Sequence, residues 1–296
     1  MILQTIVNEE NKTINEIIQK KFSFSHRLFS KIIKEKVIFV NGVFLDTRSI
    51  AKLNDLITVD LNYEEDNSNI VAKKMNIDII YEDDGLLILN KPAGIAVHPS
   101  MLHYEDSLAS GVKYYLEYKG IHKKIRPVNR LDLNTSGVVI FAKNEYIQEN
   151  LIRQMEKNTF KKEYIAIVKG KIIDDKGIID KPIARKQGSI IERCISELGQ
   201  KAVTEYEVIE RNNEYTVVKC TLLTGRTHQI RVHMASIGHP ILGDTVYGSG
   251  SSLISRQALH SYKISFIHPI EKLKMEFIAE LPESFLSMIL TEDIKK

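Results

Sequence analysis

Apolar residues follow two rhythms along this chain of 296 residues. From Thr13 the spacing is helical. Ile14, Ile17, Ile18 and Phe22 share a face, and Thr13-Ile-Asn-Glu16 reads as a capping box whose hydroxyl and carboxylate satisfy orphan amides. A second helix is predicted near Ser25, with Leu28, Phe29, Ile32 and Ile33 on its apolar face and Arg27, Lys31 and Lys34 opposite. Residues 37–40, Asn41-Gly42 and 43–45 then predict strand, type I′ turn and strand, because Asn-Gly is suited to positive φ. Residues 61–75, LNYEEDNSNIVAKKM, have no period and read as a linker. Beyond Asn76, strands are predicted at 77–81, 86–89, 137–142, 164–168, 204–209, 215–222 and 274–279, and helices at 107–117, 146–157 and 227–237. Strand and helix do not alternate strictly, and neither a GxGxxG nor a GKS/T loop occurs. A mixed α+β sheet is therefore expected over a doubly wound nucleotide-binding fold.

Composition narrows the classes. With 43% hydrophobic and 27% charged residues, the chain excludes collagen-like and disordered sequences, and its length supports about two domains. These are expected at 12–60 and 76–290, joined by the linker 61–75. Cys194 and Cys220 are the only cysteines, which supports neither a disulfide framework nor a thiolate metal site. No apolar run approaches a membrane span, and the first residues do not read as a secretory peptide, so a cytoplasmic protein is expected.

Charge changes the picture locally. The formal net charge is only +3, yet residues 12–52 hold nine Lys or Arg against Glu16, Glu35 and Asp46. A basic stripe on one helix is ordinarily a solvated face. Here the order helix, basic helix, VNG hairpin resembles the S4 RNA-binding module. That resemblance implies phosphate contacts by Arg27, Lys31 and Lys34, with salt-dependent affinity.

Two segments could carry chemistry. Arg126-Pro-Val-Asn-Arg-Leu-Asp132-Leu-Asn-Thr-Ser-Gly137 joins arginines, one carboxylate and a turn, although Asp132 alone could simply satisfy loop amides. In Thr224-Gly-Arg-Thr-His-Gln-Ile-Arg231-Val-His233, Thr227 is a plausible N-cap. Arg231 then falls in the first two turns, where the helix dipole invites an anionic partner. His228 and His233 are five apart, off the i, i+4 face that HExxH zinc sites use, and Ser136 lacks a GxSxG elbow.

Together these segments resemble the RluA-type RNA pseudouridine synthases. Asn129-Arg-Leu-Asp132-x-x-Thr-Ser-Gly137 is similar to the family's HRLDxxTSG, with Asn129 in place of the usual histidine. Asn90-Lys-Pro-Ala-Gly94, Lys162-Glu-Tyr164, the Thr224–His233 block and Gly238-His-Pro-Ile-Leu-Gly-Asp244 follow in the same order.

The resemblance implies a largely antiparallel catalytic sheet, Asp132 as the catalytic aspartate, Arg231 as its partner and Tyr164 as the active-site tyrosine. Arg130 would fill the space of the extruded base, and Arg226, His228 and Gln229 would contact substrate. No metal or other cofactor is implied. The implied partner is RNA, with 23S ribosomal RNA the expected substrate, no membrane, and a monomeric state. The same chemistry on tRNA, a non-catalytic ribosome-assembly factor and an N-glycosidase releasing uracil are the alternatives. A lone carboxylate argues against ordinary glycoside hydrolysis, because Glu163, beside Tyr164, would point to the opposite face of a strand.

Overall fold

The computed structural model describes residues 1–100 and 104–289, so residue 290, the expected end of the second domain, lies outside them. The chain opens with β1 (Ile2–Ile6), α1 (Ile14–Phe22), α2 (His26–Lys34), β2 (Ile38–Val40), β3 (Val43–Phe44) and β4 (Leu56–Asp60). These strands form an antiparallel sheet in the order β1-β4-β2-β3. The capping box at Thr13 is formed, and Ser25 caps α2 by accepting the Leu28 amide at 3.1 Å. Asn41 and Gly42 take φ of 50° and 81°, the left-handed pair a type I′ turn needs. Strand β1 escapes hydrophobic patterning because its pattern is inverted: Ile2 and Ile6 are exposed while Leu3 is buried.

Residues 61–75 contain neither helix nor strand, yet they are laid tightly against the second unit. Leu61 and Ile70 are buried, the Lys73 amide donates to the Ser110 carbonyl at 3.1 Å, and Lys123 Nζ donates to the Leu61 carbonyl at 2.7 Å.

The remaining elements are β5 (Asp78–Glu82), β6 (Leu86–Lys91), α3 (Leu108–Tyr118), β7 (Arg126–Pro127), β8 (Ser136–Ala142), α4 (Glu145–Glu156), β9 (Lys161–Lys169), β10 (Lys176–Asp180), β11 (Ile183–Arg185), β12 (Arg193–Ile195), β13 (Val203–Arg211), β14 (Tyr215–Leu222), α5 (Gln229–Ser236), β15 (Leu259–Ile267), β16 (Lys274–Ile278) and α6 (Glu283–Leu286). Ten of the strands make one sheet, ordered β10-β13-β14-β9-β15-β8-β6-β5, with β16 on β15 and β7 on β8; β11 and β12 form a separate ribbon. Among the described residues every pairing in the large sheet is antiparallel except β15 with β8. The expected α+β class, mixed and largely antiparallel, is the one observed.

Several observed strands are absent from the sequence expectations, and of the differences β15 and the cap of α5 bear most on the site. Strand β15, which sits centrally between β9 and β8, was not foreseen because His260, Ser261, Lys263 and Ser265 break its apolar run. Two of these polar groups are satisfied inside: His260 Nδ1 meets Ser136 Oγ at 2.9 Å, and Ser261 Oγ donates to the Val138 carbonyl at 3.3 Å. Thr227 is not the N-cap of α5. His228 holds that position with a left-handed φ of 59° and no side-chain cap bond, while Gln229 Oε1 accepts the Arg226 amide at 2.9 Å and closes the preceding turn.

One apolar cluster runs from Ile18, Leu28, Ile57 and Val59 into Leu86, Ile88, Val138, Ile140 and Ile264, so the first unit and the large sheet share a core. Phe22, Phe24 and Tyr146 meet there with ring centroids 5.4–6.4 Å apart.

Candidate active site

Asp132 lies in the loop from β7 to β8, and that loop is pinned along its length. At its start the Asn129 amide spans β8, donating to the Val138 carbonyl at 3.1 Å and accepting the Ile140 amide at 2.9 Å. The residue that replaces the family's usual histidine is therefore a buried anchor to the sheet. Beyond Asp132, the fully buried Lys91 donates to the carbonyls of Pro92, Ile95 and Leu133 at 2.7–3.0 Å. Burial draws its ammonium down to about 7, Arg256 adds to this and Asp132 opposes it. Arg256 Nη1 donates to the Asn134 carbonyl and its Nη2 to Ser136 Oγ, each at 3.0 Å, and Gln257 reaches Thr135 Oγ1 at 3.0 Å. A loop whose successive residues are held this way loses little entropy when substrate arrives.

Helix α5 brings Arg231 to Asp132. Arg231 Nη1 donates to Asp132 Oδ2 at 3.0 Å, while Nε and Nη2 form a fork on Asp244 at 2.7 and 2.9 Å. Burial opposes ionisation of Asp244, but Arg231 and the amides of Val246 and Tyr247 hold its carboxyl below the usual range. The Tyr247 ring lies 5.0 Å from the Arg231 guanidinium carbon, and its hydroxyl meets His228 Nδ1 at 2.7 Å. His228 Nε2 is 3.8 Å from Asp132 Oδ2, beyond hydrogen-bond length. Burial pushes the His228 imidazole towards its neutral form, with Asp132 opposing. Asp132 keeps 25% side-chain exposure, and its Oδ1 has no partner among the described residues.

A cleft of about 1170 Å³ opens over this carboxylate. Arg130, Asp132, Tyr164, Arg226, His228, Gln229 and Arg231 all line it, so the expected catalytic and substrate residues converge on one space. Tyr164, on β9, is buried; desolvation and, less so, Asp132 raise its pKa, so its phenol stays protonated at neutral pH. Gln229, expected to contact substrate, lines the cleft with its side-chain amide already committed to protein partners. Its Oε1 accepts from Thr224 Oγ1 and the Arg226 amide, and its Nε2 donates to the Val203 carbonyl and Thr204 Oγ1, so the amide braces the turn.

The cations expected to contact RNA from α2 are placed differently from one another. Lys31 pairs with the buried Glu65 and lies 3.6 Å from Glu145, facing the second unit. Arg27 reaches Glu145 at 3.1 Å with its side chain 82% exposed, and Lys34 is exposed. Sequence reasoning missed Asp244, Tyr247 and Arg256 as supports of the site. Asp244 closes the Gly238–Asp244 block of the resemblance, which assigns it no role, and with Tyr247 it lies between Gly243 and Gly248, where a carboxylate by itself reads as an ordinary turn residue. Among the described residues no cluster of His, Cys, Asp and Glu could hold a metal ion, and no helix is long and apolar enough to cross a membrane.

The family model described as RNA pseudouridylate synthase matches residues 85–236. The chain is 38% identical over 272 residues to the Uncharacterized RNA pseudouridine synthase YhcT of Bacillus subtilis strain 168, covering 90% of each chain. It is 33% identical over 313 residues to Ribosomal large subunit pseudouridine synthase D of Vibrio cholerae El Tor Inaba N16961, covering 99% of this chain and 96% of the relative. Among solved structures, Human RNA Pseudouridylate Synthase Domain Containing 1 is similar with a TM-score of 0.57 and 25% identity, covering 70% of this chain and 84% of that one. The matched segment contains Asp132, Tyr164 and Arg231, the residues that the fold gathers at one cleft. The chain belongs to the RNA pseudouridine synthases, in the RluA-type branch, and is an RNA-modifying isomerase.

Proposed function

We propose that the enzyme forms pseudouridine in 23S ribosomal RNA, with Asp132 as the catalytic carboxylate. The target is supported by similarity to relatives named for the large ribosomal subunit. One observation carries the catalytic reading: an aspartate with one oxygen held by a doubly anchored arginine and the other free among the described residues, at the floor of a cleft shared with a buried tyrosine.

A uridine inside a stack cannot reach that floor, so the nucleotide is flipped into the cleft and Arg130 fills the space it leaves. Asp132 acts on the ribose or the base while the glycosidic bond from C1′ to N1 breaks. The detached uracil turns against the Tyr164 ring without leaving, and C1′ bonds to C5. A proton leaves C5 and N1 ends protonated, so atoms and electrons balance with no co-reactant. Stacking on one aromatic ring is worth about 1–3 kcal/mol, enough to bias the loose base towards reattachment over escape. Arg231 orients the carboxylate, and Arg226 and His228 line the approach. Residues 12–60 are read as an S4-like RNA-contacting module, supported by their order of two helices and a hairpin, with Lys34 exposed and Arg27 solvent-facing beside its partner Glu145. A cytoplasmic monomer fits this reading.

The test is tritium release from C5-labelled 23S and tRNA transcripts, with carbodiimide mapping of the product. The parent should release tritium from 23S RNA and modify it at discrete sites, and Asp132→Asn should be slower by roughly 10³-fold. Unchanged turnover in Asp132→Asn overturns the catalytic assignment, modification of tRNA alone overturns the target, and free uracil with abasic RNA indicates a glycosidase.

A further inference from the structure

The wall of the cleft is strongly basic although the chain as a whole is nearly neutral. Arg130, Lys162, Arg193, Lys201, Arg226 and Arg231 line it, against only Asp132 and Glu156, and Arg231 is already committed to Asp132 and Asp244. Lys162 stands out among these cations. It lies two residues before Tyr164 on β9, so the two side chains leave the same face of the strand, about 7 Å apart along it. It is half-buried, and its ammonium has neither a carboxylate nor a hydrogen-bond partner among the described residues. Burial lowers its pKa and repulsion from Arg226 lowers it further, the condition of a cation pair that lacks its anion.

The opposing turn is shaped for the same occupant. A Cβ on Gly225 would stand 3.1 Å from Lys162 Nζ, and Gly225 is not in the left-handed region, so its backbone conformation does not itself demand glycine. The missing side chain leaves the ammonium room beside the backbone. Arg226, next in sequence, has its Nε fixed on the Lys201 carbonyl at 3.0 Å, and its amide is tied to Gln229. The turn is thus held rigid beside Lys162 by bonds that do not neutralise its charge.

We propose that Lys162 and Arg226 form a phosphate site that grips the RNA backbone at, or next to, the nucleotide flipped onto Tyr164. This rests on the chain being an RNA pseudouridine synthase, whose substrate presents one phosphate per nucleotide. Lys162 is a binding residue: it anchors the strand from which the base is turned out and takes no part in bond exchange.

Binding of a short fluorescent oligouridylate over a series of KCl concentrations tests the site without assuming the natural target. Lys162→Gln should make the salt slope shallower by about 0.7, the value for one lost contact on a single strand. Arg226→Gln should act similarly, and Lys162→Arg should restore most of the affinity. On ribosomal RNA transcripts, Lys162→Gln should raise KM roughly 5- to 10-fold with kcat within about twofold, the pattern of lost uniform binding. Melting temperatures of the variants check that each is folded, and Arg226→Gln serves should Lys162→Gln unfold. An unchanged salt slope, a fall in kcat at constant KM, or failure of the parent to bind oligouridylate at low salt overturns the proposal. If the parent binds oligouridylate with the expected slope but leaves 23S transcripts unmodified, the phosphate site stands and the assignment of target falls.

Discussion

Arg231 serves two carboxylates with one guanidinium. The fork on Asp244 fixes the plane of the group, and the remaining nitrogen is left aimed at Asp132. A lysine carries the same charge but cannot bridge both partners in a plane. Arg231→Lys is therefore expected to keep the fold and lower kcat by about 10²-fold, since small misplacement of a reacting group costs that much. Steady-state kinetics on ribosomal RNA check this, and a kcat within twofold of the parent would refute the positioning role. The pairing of Arg231 with Asp132 follows from family motifs, whereas the Asp244 anchor is invisible to spacing because it lies thirteen residues on, past the end of its helix. Gln229 illustrates the reverse case. Its neighbours in sequence suggest a ligand contact, but hydrogen-bond saturation inside the turn is a property of tertiary geometry.

At the scale of elements, the site depends on where β8 meets β15. Gly137 has φ of 111°, and a Cβ there would run into the backbone of Ser261. The parallel contact of His260 and Ser261 with Ser136 and Gly137 joins the strand after the Asp132 loop to the centre of the sheet. Gly137→Ala is expected to cost about 3 kcal/mol or more, because neither backbone can yield without breaking pairing on its far side. Urea unfolding followed by circular dichroism measures it, and a loss below about 1 kcal/mol would show that the crossing can relax. Sequence patterning locates β8, β9 and β14 because their residues are continuously apolar or alternate cleanly. It misses β15, whose inward polar groups find partners only after β8 is in place, and β1, whose isoleucines face outward.

Across the whole molecule, Glu65 ties the first unit to the second. Its carboxylate is 4% exposed and accepts two bonds of 2.7 Å from Arg126, while Lys31 of α2 pairs with it from the other side. Burial alone would raise this carboxyl; the Arg126 and Lys31 bonds more than reverse that and bring it to about 2. A folded pKa below the unfolded value of about 4.5 stabilises the fold above that pH, and the contribution is lost as pH falls towards about 2. Glu65→Gln should therefore lower stability by a few kcal/mol near neutral pH, and the difference from the parent should shrink through that acid window. Thermal melts across pH would show it, and a gap that does not narrow on acidification would remove Glu65 from the junction. Lys31, expected to bind RNA, is occupied here, because a cation on the polar face of an isolated helix reads as solvated until the neighbouring unit brings its carboxylates.

By itself the sequence determined the local structures whose causes are local: the capped helices, the Asn-Gly hairpin, the apolar strands and the motif blocks that carry Asp132, Tyr164 and Arg231. Only the tertiary structure decided which charges are paired and which await a partner. Asp244 beneath Arg231, Glu65 on Lys31 and the unmatched Lys162 beside Arg226 each depend on groups far apart along the chain, and electrostatic energy depends on distance in space and on burial, neither of which a linear pattern contains.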